Sequence, residues 1–192
     1  YKAFRRYLID FLDRAPDLLQ PHAIQPMVLA GRTGAGKTQV IQQLPQALDL
    51  EALAHHRGSA FGRHATPQPG QIDFENKLAM ALLRLVQSAP SQLVIEDEAR
   101  NIGSVALPKP LFDALKSGPR IIVETPLAQR VRITHDEYVV QSQQEYPSLD
   151  AWMDFMSAAL ERIRKRLGGE RHQRVVKQFE HACAEQQTSG QQ

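Results

Sequence analysis

The sequence predicts an α/β fold with a doubly wound, mainly parallel sheet and a C-terminal helical extension. Short apolar runs typical of buried strands alternate with helical patterns, and a glycine-rich motif joins the first of these strands to a helix. From Leu149 onward the pattern is wholly helical. The 192 residues, of which 42% are hydrophobic, are enough for one such domain and its core, and a second full domain is not expected.

The glycine-rich motif is a P-loop. Residues 31–38 have the form Gly-x-x-x-x-Gly-Lys-Thr, with an apolar run at 27–30 before them and helical spacing after them. Backbone N–H groups of such a loop converge on an anion, while Lys37 reaches an outer phosphate and Thr38 offers its hydroxyl to Mg²⁺. The fold is therefore predicted to be P-loop NTPase-like, and the motif leaves open which phosphate is bound. The predicted phosphate-binding residues of the loop are Gly31, Thr33, Gly34, Gly36, Lys37 and Thr38.

The elements on either side of the P-loop follow from spacing and prolines. An amphipathic helix is predicted over residues 2–14, and the proline-rich stretch 16–26 separates it from the P-loop strand. The P-loop helix should end near Pro45. A second strand is predicted at 47–50, and it runs into a loop over 51–62.

That loop carries further candidates for ligand binding. Ligands of doubly wound sheets bind beyond the carboxyl ends of the strands, so Arg57 and Ser59 are predicted to bind phosphate together with the P-loop. His55 and His56 invite a metal or acid–base interpretation. Because no cluster of carboxylates or cysteines accompanies them, a hydrogen-bonded pair is the favoured interpretation.

A strand with acidic residues at its end follows a connector and a helix. The segment 64–70 is predicted to be a flexible connector, 71–88 a helix, and 93–98 a buried strand that ends in Glu96-Asp97-Glu98. P-loop proteins hold at such a strand end the acid that orients the Mg²⁺ shell or polarises a nucleophile. Lys37, Glu96 and Asp97 are therefore predicted to be catalytic, and Thr38, Glu96 and Asp97 to bind the metal. The sequence leaves open which acid serves the metal, and a solvated turn is the alternative.

The remaining pattern completes the sheet and the extension. A polar turn at 100–103 and a helix at 108–115 precede a strand at 120–124. Pro126 then opens a helix with Arg130 and Arg132, which either cover the phosphates or are surface charges. The predicted organisation is a P-loop domain with its N-terminal helix (1–148), a basic helical extension interrupted at Gly168-Gly169 (149–185) and a disordered tail (186–192).

The net charge of +2 conceals a basic segment. Between residues 161 and 177 there are seven positive side chains against two negative ones. Such a run either binds a polyanion such as RNA or is a solvated helix face. The predicted RNA-binding residues are Arg162, Arg164, Lys165, Arg166, Arg171, Arg174 and Lys177.

The cysteine content and the hydropathy of the sequence restrict the expected cellular location of the protein. Cys183 is the single cysteine, which excludes a disulfide framework and predicts a reducing, cytoplasmic location. No apolar run approaches the length of a membrane span. The beginning at Tyr1 resembles neither a signal peptide nor a natural start, so a longer parent chain is expected.

Several segments together resemble one family. They are residues 1–6, the P-loop at 31–38, 49–51 with 54–62 (which includes His-His-Arg-Gly-Ser), 96–98 with 100–103, and 167–169. The chain resembles the C-terminal P-loop domain of the tRNA 2-selenouridine synthase family over nearly its whole length. The resemblance implies two reactions on wobble 2-thiouridine in tRNA: geranylation of the sulfur by geranyl diphosphate, and replacement of the S-geranyl group by selenium from selenophosphate. It also implies an N-terminal rhodanese domain, which this chain lacks and for which Cys183 is no substitute.

The resemblance implies a role for the P-loop in the first reaction. Departing pyrophosphate presents the same oxygens as the outer phosphates of a nucleotide, so the loop, Mg²⁺ and Glu96 or Asp97 are expected to stabilise it. Phe61 and Phe74 are candidates for the wall around the geranyl chain. The alternatives are a kinase-like phosphotransferase that uses ATP or GTP, with Asp49 or Asp97 as base, and a nucleotide-binding regulatory module.

Overall fold

The structure, a computed structural model, describes residues 1–19 and 24–189. The first half of the chain forms α1 (Lys2–Leu18), β1 (Gln25–Ala30), α2 (Lys37–Gln43), β2 (Ala47–Leu48), α3 (Leu50–Ala54), α4 (Gln71–Gln87) and β3 (Gln92–Glu96). The second half forms β4 (Asn101–Ile102), β5 (Val105–Ala106), α5 (Lys109–Lys116), β6 (Arg120–Ile122), α6 (Leu127–His135), a π-helix (Asp136–Gln141), α7 (Leu149–Arg162), α8 (Arg164–Leu167) and α9 (Gly169–Ser189).

A four-stranded parallel sheet with the order β2-β3-β1-β6 lies at the centre. Leu29 of β1 is in register with Glu96 of β3 and with Ile121 of β6, so the carboxyl ends of these strands meet at one edge. The P-loop leaves β1 at that edge and leads into α2. This arrangement confirms the predicted P-loop α/β fold with a doubly wound parallel sheet.

The two faces of the sheet pack against different helices. Val28 and Ile95 point into the main core, which α1, α4 and α5 cover. Leu29 and Val94, their neighbours along the strands, point to the other face and contact Ile41 of α2. Because successive side chains of a strand alternate between faces, fully apolar strands are what a sheet with helices on both sides requires.

One predicted boundary near the site was wrong. The second strand ends at Leu48 rather than at residue 50, because Asp49 caps α3 by accepting a hydrogen bond from the Ala52 N–H at 2.8 Å. The connector at 64–70 was predicted to be flexible. Gln68 ties it down by donating to the carbonyls of Ala54 (2.8 Å) and Ile102 (3.1 Å), next to a small hairpin of β4 and β5 that the sequence did not reveal.

The helical extension is anchored by aromatic residues. Trp152 of α7 is buried, donates its indole N–H to the Ser142 hydroxyl at 3.2 Å and lies 5.8 Å from the ring of Phe179 of α9. Gly168, with φ 84°, separates α8 from α9 as the predicted break requires.

The disordered tail predicted from residue 186 begins too early. Residues 186–189 continue α9, where Gln186 pairs with Gln143 and Gln187 donates to Asp150 of α7. The last three residues of that predicted tail, and residues 20–23 of the proline-rich stretch, lie outside the described part of the chain. Within residues 1–19 and 24–189, no helix has the length and apolarity needed to cross a membrane.

Candidate functional site

The P-loop has the backbone that an anion cradle needs. Gly34 and Gly36 have φ values of 74° and 86°, which a side chain would strain, and Gly36 is the residue that caps α2. The Nζ atom of Lys37 donates to the Gly31 carbonyl at 3.0 Å. Lys37 therefore lies across the loop, within reach of a phosphate held there.

Helix α6 and Thr125, which precedes it, hold the loop from outside. Arg130 donates from Nε and Nη2 to the Thr33 carbonyl, both at 3.0 Å, and the Thr125 hydroxyl donates to the Ala35 carbonyl at 2.9 Å. A Cβ on Gly34 would lie 2.6 Å from the Arg130 carbonyl oxygen. Of the two alternatives for the arginines of this helix, Arg132 agrees with a surface charge, because it is exposed and does not line the cavity described next. Arg130 instead holds the loop backbone.

A cavity of about 520 Å³ opens beside the P-loop. Its walls come from the loop, the start of α2, the segment around α3 and residues 55–64, and the π-helix. It brings together most of the predicted phosphate-binding residues, and Gly31 is not among its lining residues. Those that line it are Thr33, Gly34, Gly36, Lys37, Thr38, Arg57 and Ser59.

The three acids at the end of β3 point in different directions. Glu96 is fully buried, and its Oε2 accepts a hydrogen bond from the Glu51 N–H at 3.2 Å, while its Oε1 has no partner among the described residues. Burial and the nearby Asp49 raise the pKa of Glu96 to about 7. Asp97 instead faces Lys116, whose Nζ lies at 2.7 Å. The acid of the three that lines the cavity is Glu98, so the catalytic and metal roles of Glu96 and Asp97 stay predictions.

Glu98 shares its side of the cavity with an acid that the sequence analysis missed, Glu51. Burial and the negative charges of Glu96 and Glu98 raise the pKa of Glu51 to about 9, and a hydrogen bond to Glu98 adds to the effect. The raised pKa favours the protonated form of Glu51, which can donate a hydrogen bond to Glu98. Other carboxylates on the cavity wall that sequence reasoning missed are Asp136, Glu137 and Glu145.

Arg57 is fixed by contacts to the π-helix and to the turn that follows it. Its guanidinium forms an ion pair with Glu145 and lies 5.9 Å from the centroid of the Tyr138 ring, and its carbonyl accepts a hydrogen bond from the Tyr138 hydroxyl at 3.2 Å. Its Nη1 is buried and has no hydrogen-bond partner among the residues described. An immobilised guanidinium with a free N–H on a cavity wall is suited to an anionic ligand.

The two histidines of this segment differ. His55 hydrogen-bonds the Thr66 hydroxyl at 2.7 Å and stacks on His64 at 4.2 Å, and His64 contacts Glu145 at 3.0 Å. His55 thus follows the hydrogen-bonded interpretation, whereas the Nδ1 atom of buried His56 finds no partner in the described chain. Among the residues that the structure describes, no group of three or more His, Cys, Asp or Glu side chains is arranged to hold a metal ion.

A second cavity, of about 690 Å³ and lined mainly by apolar side chains, adjoins the first. Thr33, Ser59 and Tyr138 line both. Phe61 lines this cavity, so its place beside a geranyl chain stays a prediction, whereas Phe74 is fully buried in the main core and cannot contribute to the wall. Further apolar residues on the wall are Leu127, Val131, Val139, Met156, Leu160, Ile163, Val175 and Phe179.

The basic segment is not one uniform surface. Arg162 donates to the Ala60 carbonyl at 3.3 Å, and Arg164 pairs with Glu161 at 3.0 Å. Arg166 lines the apolar cavity and is largely exposed. The other predicted RNA-binding residues are exposed on α8 and α9: Lys165, Arg171, Arg174 and Lys177.

Comparison with known proteins gives a consistent result. The profile of the family described as "tRNA 2-selenouridine synthase AAA domain" matches residues 24–192. Proteins named tRNA 2-selenouridine synthase from Hydrogenovibrio crunogenus, Sulfurovum sp. and Alcanivorax borkumensis are 55%, 44% and 46% identical over 97%, 97% and 99% of the chain. The chain spans 52%, 51% and 53% of these relatives, about half their length. No solved structure shows a significant match.

Proposed function

Because the chain belongs to the tRNA 2-selenouridine synthase family through its AAA domain, we propose that it is the part of a tRNA-modifying transferase that binds geranyl diphosphate. In this proposal the geranyl group is transferred to the sulfur of wobble 2-thiouridine in tRNA. Selenation by selenophosphate is assigned to the intact parent protein with its rhodanese domain.

The observation that carries the proposal is the contact between a P-loop cavity and an apolar cavity. A nucleotide needs a polar reader for its base and ribose next to its phosphates, whereas geranyl diphosphate needs an apolar wall. The cavity that adjoins the P-loop across Thr33, Ser59 and Tyr138 is lined mainly by aliphatic and aromatic side chains. Each CH₂ group buried there is worth about 0.8 kcal/mol, so a ten-carbon chain adds substantially to the affinity of the diphosphate.

The charges of the P-loop cavity suit a diphosphate that arrives with a cation. The loop N–H groups, Lys37 and Arg57 can bind phosphate oxygens directly. Thr38 and Glu98 offer the hydroxyl and carboxylate oxygens that Mg²⁺ prefers, and the ligand's phosphates would complete the set. When bound, Mg²⁺ would neutralise charge on the leaving diphosphate.

The residues of this chain would then assist an alkyl transfer. The thiocarbonyl sulfur supplies the electron pair of the new C–S bond, the diphosphate leaves with the electrons of the C–O bond, and the uridine N3 proton is released to water. Lys37 and the loop N–H groups stabilise the charge that develops on the leaving group. Because the sulfur attacks as the neutral thione, it needs no general base. Glu51, whose pKa is raised to about 9, would lie in the same cavity as a hydrogen-bond donor.

Calorimetric titration of this chain with geranyl diphosphate, pyrophosphate and ATP in the presence of Mg²⁺ tests the proposal. Geranyl diphosphate should bind most tightly, because only its chain fills the apolar cavity. Lys37→Ala should weaken both geranyl diphosphate and pyrophosphate without lowering the melting temperature. A clear preference for ATP with steady phosphate release would contradict the proposal and favour the kinase-like alternative.

A matched pair of valine variants separates the two cavities. Val131 is 58% exposed and lines the apolar cavity, whereas Val140 is 42% exposed and does not. Val131→Asn should weaken geranyl diphosphate roughly tenfold, about 1.4 kcal/mol, and leave pyrophosphate unchanged. Val140→Asn should change neither. Equal behaviour of the two variants would place the geranyl chain elsewhere.

A further inference from the structure

A third cavity, of about 480 Å³, lies on the far side of the turn at Gly58-Ser59-Ala60 from the P-loop. Residues 56–63, the segment that leads into the β4–β5 hairpin and the junction of α7 with α8 form its walls. We call it the basic cavity, because it is lined by three arginines: Arg63, Arg162 and Arg166.

The positive charge of the basic cavity is not compensated. Among the described residues, neither Arg63 nor Arg166 has a carboxylate within ion-pair distance, and Arg162 donates only to the Ala60 carbonyl. Burial and the neighbouring Arg63 lower the pKa of Arg162. Glu98 is the acid on the wall, and it already shares a hydrogen bond with Glu51. Guanidinium groups gathered in this way are stabilised by an anion.

A second observation points to a polar ligand at the same place. His56 lines the basic cavity, is only 6% exposed, and its Nδ1 has no hydrogen-bond partner in the part of the chain described. A buried polar atom without a partner costs free energy that a ligand can recover. Burial and the positive charges of Arg63, His64 and Arg57 lower the pKa of His56, which favours the neutral ring, and the Nδ1 atom of a neutral ring donates or accepts one hydrogen bond according to its tautomer.

The position of the basic cavity relates it to the transfer site. Ser59 lines all three cavities: the one at the P-loop, the apolar one and the basic one. The P-loop cavity fits the diphosphate and the apolar cavity fits the chain, so the carbon between them lies near this turn. An acceptor group that approaches from the basic cavity would meet the reactive carbon at this turn.

We propose that the basic cavity binds a backbone phosphate of the acceptor RNA and so positions the thiolated nucleotide at Ser59. This inference rests on the proposed function and deepens it. A phosphodiester is favoured over free phosphate because the cavity is continuous with the basic segment through Arg162 and Arg166. The three arginines are therefore positioning residues for the RNA.

The test compares two triple variants that lose the same charge. One is Arg63→Gln, Arg162→Gln, Arg166→Gln; the other is Arg164→Gln, Lys165→Gln, Arg171→Gln, whose members do not line the basic cavity. Binding of a stem-loop RNA that contains one 2-thiouridine is measured over a range of salt concentrations. The cavity variant should lose at least tenfold in affinity, and its salt slope should fall by about 0.7 to 0.9 for the lost phosphate contact. The other variant should lose roughly threefold or less.

Neutral methylphosphonate linkages on either side of the 2-thiouridine locate the contact. One of these linkages should weaken RNA binding to the unmodified protein. The same linkage should not weaken RNA binding to the cavity variant any further, because that variant has already lost the contact. Equal losses in the two variants, the absence of a sensitive linkage, or inorganic phosphate that competes as well as the RNA would each overturn the inference. Geranyl diphosphate binding should be unchanged in the double variant Arg63→Gln, Arg162→Gln, because these two residues line neither the P-loop cavity nor the apolar cavity. A loss of geranyl diphosphate affinity in that variant would assign the arginines to the diphosphate. If geranyl diphosphate fails to bind the unmodified protein, the result counts against the proposed function instead.

Discussion

The buried carboxyl of Glu96 should make the stability of this protein fall as the pH rises. Its pKa in the folded protein is about 7, compared with 4.5 for the exposed group. The folded state therefore holds the proton more tightly than the unfolded state does, so the stabilisation is complete below pH 4.5 and is lost between there and about pH 7. Each pKa unit corresponds to about 1.4 kcal/mol, which gives a loss of about 3 kcal/mol at pH 8 from this residue.

Glu96→Gln removes that loss without changing the shape of the side chain. At pH 8 the variant should be more stable than the unmodified protein by up to about 3 kcal/mol, and near pH 4.5 the two should agree within about 1 kcal/mol. Urea unfolding at several pH values measures the free energy of unfolding of the variant and of the unmodified protein, with a chelator present to exclude metal ions. Glu180→Gln, at an exposed site on α9, is the control and should leave the pH profile unchanged. A variant that is equally destabilised at both pH values would refute the assignment of a buried, proton-binding carboxyl.

Two further predictions concern the loop and the aromatic residues. Gly34→Ala should lower the melting temperature and weaken diphosphate binding, because it puts a side chain at φ 74° against Arg130, at a cost of about 1 to 2 kcal/mol. The control Gly70→Ala should do neither, because Gly70 has open space around it. Phe74→Ala should destabilise the domain by about 3 to 5 kcal/mol as judged by urea unfolding, whereas Phe61→Ala should mainly reduce geranyl diphosphate affinity. If Phe61→Ala is the variant that destabilises and Phe74→Ala the one that loses affinity, the cavity assignment is contradicted.

The P-loop was predictable because its chemistry is local. The spacing of Gly31, Gly36 and Lys37 and the flanking strand and helix patterns fix both the backbone and its position in a doubly wound sheet. The identity of the acid beside it was not predictable in this way. Within β3 the side chains alternate, but the Glu98 N–H donates to the Glu96 carbonyl at 2.9 Å, a tight turn that ends the alternation. The period of the strand therefore says nothing about where Glu98 points.

The contributions of distant segments were also beyond a sequence pattern. Glu145 reaches Arg57 and His64 from the far side of the cavity, 88 and 81 positions away. Tyr138 reaches the cavity from a π-helix that continues α6 without a break, and its hydrophobic pattern gave no sign of that change in helix type. Only Asp49 and Glu51 had a sequence signal that could have placed them at the cavity. They follow the end of β2, which pairs with β3, and β3 pairs with the P-loop strand β1.

The short strands at both margins of the sheet limit edge-to-edge pairing with other chains. β2 has two residues and β6 has three, so each edge offers few unpaired backbone groups to a strand from another chain. At β6 the exposed side chains of Ile121 and Ile122 follow Arg120, whose charge adjoins the apolar pair. An edge this brief, with a positive charge at its start, is a poor template for the edge-to-edge pairing that leads to amyloid-like aggregates.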